Sequence, residues 1–437
     1  MVSIACNLLN LSYSSALLSI FEGYTNDFEY TADGVFRRIL PPRCPQCGSR
    51  MSHNGYNTYC KRGLGSVKIG RYLCLSCDTS HEEERSFWEN LKGGFFGVLD
   101  RIYQLMRRLH VSFDGISSIM NLIFPRGKDT IFTAFNESVE KTTLPPVEAM
   151  RIVHYDEQFP KEGRTQKFRL TLLDGVTGQP IAEELHDGKD PETVKAFLTK
   201  YLDPTKRTFV VTDLYPSYPG ILEEFFGDNV IHQLCLLHLN KRIVNDFPRN
   251  TTIEQELMKY RLLNIFYNRD AEIEVLKVKA KEEQVMKQSG EKVYRTWLIK
   301  QRAGFRRFLH DQELDRRRKK ENLEQRSYTA ALEIFKGLMA ELETFERPVQ
   351  KRLRKIEKNW ARFTAFYFVN GAPATNNLLE NYYSTSLKTH RKKQLRTDRG
   401  IENQMKLSAM KRARLLDRCE STLLDMFLMF VPFLSPG

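Results

Sequence analysis

Residues 208–213 read Thr-Phe-Val-Val-Thr-Asp, a run of apolar and β-branched side chains that ends on a carboxylate. Side chains of these types favour strands, and so short an apolar run is typical of a strand that is buried on both faces. A second run, Arg151–Tyr155, ends at Asp156 in the same way. Because carboxylates at the ends of adjacent strands project into one crevice, we expect Asp156 and Asp213 to lie close together.

The chain around these two strands alternates strand-like and helical runs from residue 150 to residue 245. Asp-Gly and Thr-Gly turn signals between Phe168–Leu173 and Gln179–Leu185 predict an antiparallel hairpin. The elements expected after it are a helix at Pro191–Tyr201, the strand at Thr208–Thr212, a helix at Tyr218–Phe226 and a strand at Asn229–Gln233. Three antiparallel strands followed by crossovers predict a mixed α/β core.

Residues 246–360 have a different character, with long helical patterns and charge runs such as Arg316–Lys320. A charge run is typical of a solvated helix face, so we interpret this region as an all-helical insertion. A strand or loop at Thr364–Phe368 and a turn at Gly371–Pro373 then return the chain to the core. Residues 361–437 complete the core and end in helices.

The third carboxylate of interest is Glu380, within Pro373–Glu380. Thr375 or Asn376 can cap a helix here, which places Glu380 in its first turns. Lys388 falls on about the same side of that helix and could hold a phosphate. Two Asp and one Glu offer the oxygen ligands that Mg²⁺ prefers. Two Mg²⁺ (or Mn²⁺) ions can activate water or a 3′-hydroxyl and stabilise the leaving oxygen of a phosphodiester. Singly, each acid reads as a cap or surface charge; together they predict a catalytic metal site.

Two cysteine pairs precede this core. Cys44 and Cys47, and then Cys74 and Cys77, each have C-x-x-C spacing, which lets two thiolates reach one ion from a tight turn. The 26 residues between the pairs are enough for a β-hairpin. We therefore expect a zinc ribbon at residues 41–82 whose four-cysteine zinc is structural. The spacing leaves open whether the ribbon contacts DNA or serves stability alone.

Helical periodicity dominates residues 95–145. Val98–Leu109 and Lys128–Lys141 read as helices, with a short capped helix between them. A short helix, a turn and a further helix match the helix-turn-helix pattern, and Lys128 and Thr130 would then face a DNA groove. A plain packing module of three amphipathic helices is the alternative.

The charge balance points to a polyanionic partner. The chain has 437 residues and a net charge of +13, which favours nucleic acid or an anionic membrane surface. The apolar segment Met426–Leu434 is too short to span a bilayer, and Ile4–Phe21 lacks the basic leader of a signal peptide. We therefore expect DNA rather than a membrane as the partner, and a cytoplasmic, nucleoid-associated protein.

Further motifs connect the acids. They are Asp156 after a hydrophobic strand, Val210–Asp213 before an aromatic-rich helix start, the spacing Cys235-x-x-His238, and the helix Asn-Asn-x-x-Glu380. Residues 150–400 on this basis resemble DDE-type transposases of prokaryotic insertion sequences, in the branch related to Mutator-like elements. The resemblance implies an RNase H-like fold with Asp156, Asp213 and Glu380 as catalytic metal ligands. It also implies Mg²⁺-dependent hydrolysis at element ends and strand transfer by a 3′-hydroxyl.

The same resemblance places Cys235 and His238 near the active site as support, with a core cysteine and a satisfied histidine as the alternative. Basic residues that follow Glu380 would neutralise phosphates and make DNA binding salt-dependent. They are Lys388, Arg391, Lys392, Lys393 and Arg396.

The sequence thus predicts an α+β and α/β multidomain protein. Its expected parts are a leader (1–40), the zinc ribbon (41–82), the helix-turn-helix (95–145), an RNase H-like core (150–245), the insertion (246–360) and the second part of the core (361–437). The expected function is a DNA transposase that acts on element ends and target DNA as a homodimer or higher oligomer. A nuclease or resolvase without strand transfer is one alternative, because the same metal chemistry serves it. An inactive DNA-binding regulator derived from a transposase is another.

Overall fold

The computed structural model describes residues 28–30, 35–61, 65–83, 85–123, 126–147, 150–159, 167–387, 395 and 397–416. The described chain divides into two compact units: residues up to Leu144 together with those from Lys406 onward, and Pro145–Met405. We expected residues 361–437 to complete the second unit. The chain from Lys406 instead clusters with the first unit, because Leu407 and Met410 are buried in its helical core. Most of the leader 1–40 lies outside the described residues.

The first unit opens with a small mixed sheet. Its strands are β1 (Phe28–Tyr30), β2 (Val35–Arg38), β3 (Ser52–Lys61), β4 (Gly65–Leu73) and β5 (Ser80–Glu82). The order is β1-β2-β4-β3, with β5 also paired to β4. Strands β3 and β4 form the antiparallel hairpin predicted between the cysteine pairs, and this prediction is confirmed.

Three helices follow in the described part of this unit: α1 (Ser86–Arg108), α2 (Phe113–Ile123) and α3 (Lys128–Lys141). The predicted helices are confirmed, although α1 begins twelve residues before the expected Val98. A pair of glycines at residues 93–94 lowers helix propensity and hid this first half. The three helices share one apolar core that includes Ile116, Ile131 and Leu407.

The second unit is built on a five-stranded sheet. Its strands are β6 (Ile152–Gln158), β7 (Phe168–Asp174), β8 (Pro180–His186), β9 (Thr208–Thr212) and β10 (Val230–Leu234). The order is β10-β9-β6-β7-β8. Strands β6, β7 and β8 are antiparallel neighbours, whereas β6, β9 and β10 are parallel. The predicted hairpin and the later crossover strands are therefore confirmed.

Side chains alternate between the two faces of this sheet. Val153, Tyr155 and Val210 lie on one face, in a core with the crossover helices α4 (Pro191–Tyr201) and α5 (Tyr218–Phe226). The alternate residues of β6, His154 and Asp156, consequently lie on the other face. We call this second face the acid face.

Helices cover the acid face. They include α6 (Leu236–Asn245), α7 (Ile253–Leu263), α10 (Tyr328–Ala340), α11 (Arg347–Lys358), α12 (Trp360–Thr364) and α13 (Asn377–Ser386). Helices α8 (Asp270–Met286) and α9 (Glu291–Lys319) pack with α7 in a separate buried cluster, and α14 (Asp398–Arg412) is the last helix of the described chain. Ile152, Phe209 and Val211 join residues of α6, α10 and α11 in one buried cluster. The expected all-helical character of residues 246–360 is confirmed.

The strand or loop expected at Thr364–Phe368 is a short 3₁₀ helix, Ala365–Phe368. The aromatic residues there favour strands, but the buried side chain of Gln233 satisfies the backbone instead of a neighbouring strand. Gln233 Nε2 donates to Phe363 O (3.2 Å), and its Oε1 accepts from Phe366 N (2.9 Å). No helix of the described residues is both long and apolar enough to cross a membrane.

Candidate metal and carboxylate sites

The two C-x-x-C segments fold into matching turns. In each, the backbone N–H after the second cysteine donates to the carbonyl of the first: Gly48 to Cys44 and Asp78 to Cys74, both at 2.9 Å. Gly48 and Asp78 have positive φ values of 73° and 54°, a conformation that glycine and aspartate adopt more readily than most residues. The repeated turn geometry directs two pairs of thiols toward one point.

The four sulfur atoms fit a tetrahedral zinc ion. Cys44 and Cys77 Sγ are 3.5 Å apart, Cys47 and Cys74 Sγ are 3.4 Å apart, and all four lie within 4.8 Å of one another. Zn–S bonds of about 2.3 Å in a tetrahedron place sulfurs about 3.8 Å apart. Hydrogen bonding from Ser49 lowers the pKa of Cys47 to about 6, whereas burial raises the pKa of Cys74 to about 11, so a bound cation would have to stabilise the Cys74 thiolate. The cluster could therefore bind zinc structurally, as expected.

Asp156 and Asp213 are brought together by strand register. His154 of β6 pairs with Val211 of the parallel strand β9. Two residues further along the chain lie Asp156, on the acid face of β6, and Asp213, the residue directly after β9. Neighbouring strands are about 4.8 Å apart, so the two aspartates lie close together. Each aspartate is oriented by a backbone donor: Glu157 N lies 2.9 Å from Asp156 Oδ1. The N–H of Tyr215 holds Asp213 Oδ1 in the same way, at 2.7 Å.

Glu380 lies in the first turn of α13, which packs on the acid face. Leu379 and Tyr383 of this helix are buried against Leu173 of β7. The hydroxyl of Tyr383 donates to the backbone oxygen of Asp156 at 2.7 Å, so the helix is bonded directly to the strand that carries the first acid. The predicted start of this helix and the early position of Glu380 within it are confirmed.

The three acids influence one another electrostatically. Burial raises the pKa of Asp156 well above its usual value, and the charges of Asp213, Glu157 and Glu380 raise it further. Such a shift means that the ionised carboxylates repel one another in a poorly solvated place. Oxygen donors in this state fit the preference of Mg²⁺, whose charge would offset the repulsion. Among the described residues, however, only the four cysteines bring three or more ligand atoms within 4.8 Å of one another.

A lysine and a histidine of α6 stand beside Glu380. Lys241 Nζ lies 3.1 Å from Glu380 Oε1 and 3.4 Å from Oε2, and His238 Nε2 lies 3.7 Å from Oε1. Both residues of α6 are three apart in sequence, which places them on one side of the helix. Sequence reasoning did not select Lys241, although its position three residues after His238 was a usable signal.

Cys235 and His238 have separate environments. The Cys235 side chain is fully buried, and its Sγ accepts from the backbone N–H of Asn376 at 3.1 Å. Cys235 therefore joins two chain segments and is not exposed to solvent. Burial lowers the pKa of His238, while the charges of Asp213 and Glu380 oppose this shift. The histidine thus lies close to both acids, whereas the cysteine lies in the core beside them.

Glu157 is half-buried on the face of the sheet opposite Asp156. Its carboxylate accepts from the hydroxyl of Tyr155 at 2.9 Å and from that of Tyr218. Side chains alternate between the two faces of a strand, so the neighbouring acids Asp156 and Glu157 lie in different environments. Burial raises the pKa of Glu157, and these two hydroxyl donors oppose that shift.

The predicted DNA-binding residues fall in two places. Lys128 and Thr130 occupy the exposed first turn of α3, where Lys128 Nζ is paired with Asp114 Oδ1 at 3.0 Å. The other predicted residues, Lys388, Arg391, Lys392, Lys393 and Arg396, lie outside the described residues. The DNA-binding role of both groups stays a prediction.

Comparison with known proteins gives one informative similarity. No family model matches the chain. The chain is 26% identical over 217 residues to the insertion element ISM1 uncharacterized 48.3 kDa protein of Methanobrevibacter smithii. The match covers 46% of this chain and 52% of the relative, so the chain spans about half the length of the curated relative. The sequence is thus similar to a protein of an insertion element.

Proposed function

We propose that this protein is a DDE-type DNA transposase. It would bind the ends of its element, hydrolyse phosphodiester bonds with Mg²⁺, and transfer a 3′-hydroxyl end into target DNA. The similarity to an insertion-element protein supports the element as the genetic context. The chemistry rests on the residues of the acid face.

The observation that carries the proposal is the placement of three carboxylates from distant parts of the chain. Asp156 and Asp213 each lie two residues beyond the paired residues His154 and Val211 of adjacent parallel strands, and the helix of Glu380 packs on the same face. This placement does not stabilise the fold, because burial and mutual repulsion disfavour the ionised form of Asp156 and raise its pKa. Perturbed carboxylates of this kind are typical of functional sites.

The strand order also supports the proposal. Three antiparallel strands are followed by two parallel strands with helical crossovers, and an all-helical region separates Asp213 from Glu380. This order supports the RNase H-like arrangement that we propose on the basis of the resemblance to transposases. Helices α1 to α3 would form the helix-turn-helix that recognises element ends, and the ribbon would support it.

The residues themselves suggest a division of roles. Asp156 and Asp213 each have one oxygen fixed by a backbone N–H, which orients the other oxygen for a ligand. Mg²⁺ held by these acids and Glu380 would activate the attacking oxygen and stabilise the leaving one. Lys241 forms an ion pair with Glu380, and it would be free to contact a phosphate once Glu380 held a metal.

Two alternative functions differ from a transposase in how they would use the three acids. A nuclease or resolvase without strand transfer needs the same three acids, and the appearance of joined products is what separates it from a transposase. An inactive DNA-binding regulator would have no need for the acids. Their retention on one face, with a cation at hand in Lys241, favours an enzyme.

The proposal is tested by cleavage of supercoiled DNA that carries the gene with its flanking sequences. We would compare the wild type with Asp213→Asn in Mg²⁺, and use Asp228→Asn as a matched control, because Asp228 is exposed in the same unit. We expect wild type and control to cleave and Asp213→Asn to lose at least ~10²-fold in rate, as for removal of a major electrostatic group. Equal cleavage by all three proteins would show that the carboxylates have no such role.

Synapsis of two ends requires more than one active site, so we expect a homodimer or higher oligomer on DNA. Light scattering of the protein with element-end duplexes measures this directly. Cleavage and joining of paired ends by a strict monomer would contradict it.

A further inference from the structure

Asn376 is bonded through its side chain to the strand that presents Asp156. The residue is fully buried. Its Nδ2 donates to the backbone oxygen of Tyr155 at 3.2 Å, and its Oδ1 lies 2.8 Å from His154 Nδ1. These two partners are the residues immediately before Asp156. Because the asparagine oxygen can only accept, the histidine Nδ1 carries the proton.

The backbone of Asn376 reaches the segments of the other two acids. Its N–H donates to Cys235 Sγ at 3.1 Å, and the N–H of Cys235 in turn donates to the oxygen of Thr212 at 2.9 Å, next to Asp213. Its carbonyl accepts the N–H of Glu380 at 3.1 Å. One residue is therefore bonded, directly or through a single cysteine, to all three segments that carry the acids.

The amide is not used as asparagine usually is at the start of a helix. An N-cap asparagine accepts a hydrogen bond from the backbone two or three residues on. The side chain of Asn376 makes no such cap hydrogen bond, because both of its polar atoms are bonded to β6. The next residue, Asn377, is exposed. The pair thus offers one asparagine committed to the site and one that is not.

We propose that Asn376 is a positioning residue, which sets the spacing of Asp156, Asp213 and Glu380 and so controls metal affinity and rate. The inference rests on the proposed function, because it concerns the same acids. Residues that hold metal ligands in place typically change metal affinity 10- to 100-fold when they are replaced. Small misplacements of reacting groups can cost about 10²-fold in rate.

The test compares Asn376→Ala with Asn377→Ala in the full-length protein. Mn²⁺ affinity is measured by calorimetry, cleavage of element-end DNA by steady-state kinetics, and stability by thermal unfolding. We expect Asn376→Ala to weaken Mn²⁺ binding about 10- to 100-fold and to lower kcat while KM for DNA stays the same. Asn377→Ala should match the wild type. Lower stability of Asn376→Ala with unchanged Mn²⁺ affinity and kcat would overturn the proposal and leave a structural residue.

If Asn376→Ala does not fold, a second pair of variants tests the positioning role of Asn376. His154→Leu removes the donor to Asn376, whereas His154→Asn keeps an N–H close to the position of Nδ1. We expect His154→Asn to recover most of the Mn²⁺ affinity that His154→Leu loses, and equal affinity in the two would overturn the proposal.

The experiments distinguish failure of the proposed function from failure of the positioning role of Asn376. Wild-type cleavage by Asp213→Asn would remove the proposed function itself. Loss of cleavage in Asp213→Asn, with unchanged metal affinity and kcat in Asn376→Ala, would remove the positioning role alone.

Discussion

Replacing Arg169 with methionine is expected to destabilise the unit that carries the acids. Arg169 is fully buried on β7, and its Nε and Nη2 both donate to Glu183 Oε1, the Nε at 2.8 Å. Its guanidinium also lies 5.1 Å and 5.0 Å from the ring centres of Tyr382 and Tyr383, and donates to Ser386 Oγ at 3.0 Å. Arg169 thus joins strands β7 and β8 through the ion pair, and its other contacts bind the helix of Glu380 to the sheet.

The size of the effect follows from the charge that remains. Arg169→Met leaves the carboxylate of Glu183 buried, with the hydroxyl of Tyr382 as its remaining strong donor (2.6 Å). Breaking a buried ion pair in this way costs about 3–5 kcal/mol. For a unit of this size each kcal/mol lowers Tm by roughly 2–4 °C, so we expect a decrease of about 6–20 °C.

The assay is thermal unfolding of the full-length variants, followed by circular dichroism. Arg354→Met is the matched control, because Arg354 pairs with Glu343 on the surface, where an ion pair contributes about 0.2–1 kcal/mol. The double variant Arg169→Met/Glu183→Gln should recover part of the loss, since no unpaired charge remains. A Tm for Arg169→Met within the range of the control, or no recovery in the double variant, would refute this reasoning.

Three further predictions concern the metal sites. Burial and neighbouring charges raise the pKa of Asp156, so its ionised form destabilises the native state at neutral pH, and this destabilisation disappears as pH falls through the raised pKa. Without Mg²⁺, Asp156→Asn should therefore unfold at a higher Tm than the wild type at pH 7, and the difference in Tm should narrow on acidification. An unchanged or lower Tm at pH 7 would count against this prediction. Lys241→Met removes a cation that competes with the metal ion for Glu380. Calorimetry should therefore find Mn²⁺ binding about 1.5- to 5-fold tighter, as expected for the loss of a partly exposed ion pair. Weaker Mn²⁺ binding would mean that Lys241 supports the site. Elemental analysis should find one zinc per chain in the wild type but none in Cys74→Ser. Cys60→Ser is the control and should keep its zinc, because the thiol of Cys60 is exposed and lies outside the cluster. Zinc retained in Cys74→Ser would exclude the four-cysteine site.

Local chemistry explains which features could be predicted. The two cysteine turns depend on residues a few positions apart, so spacing alone indicates the cluster. The strand runs before Asp156 and Asp213 are short and apolar, and their parallel pairing follows from the crossover helix between them. Glu380 was identified through its position near the predicted start of a helix, which is again a local pattern, although the structure shows no side-chain cap there.

Other features depend on contacts between residues far apart in sequence. A strand arginine such as Arg169 normally reads as exposed, and only its partner Glu183 makes its burial acceptable. The role of Asn376 depends on His154, which is 222 residues away. The aromatic residues of Thr364–Phe368 favoured a strand, but the side chain of Gln233 holds the segment in a 3₁₀ helix.

The assignment of residues 361–437 illustrates the same limit. The helix of Glu380 belongs to the unit with the sheet, while Leu407 and Met410 belong to the core of the first unit. Apolar helical periodicity is the same in both cases and does not specify which core a helix joins. Domain boundaries of this kind require the tertiary structure.

The most direct test of the central claim is strand transfer by the wild type and by Glu380→Gln. The substrate is a duplex of the sequence that flanks the gene, with a free 3′-hydroxyl at the proposed element end, mixed with supercoiled target DNA and Mg²⁺. We expect joined products with the wild type and none with Glu380→Gln, while both proteins bind the duplex equally. Equal joining by the two proteins, or binding without joining by the wild type, would contradict it.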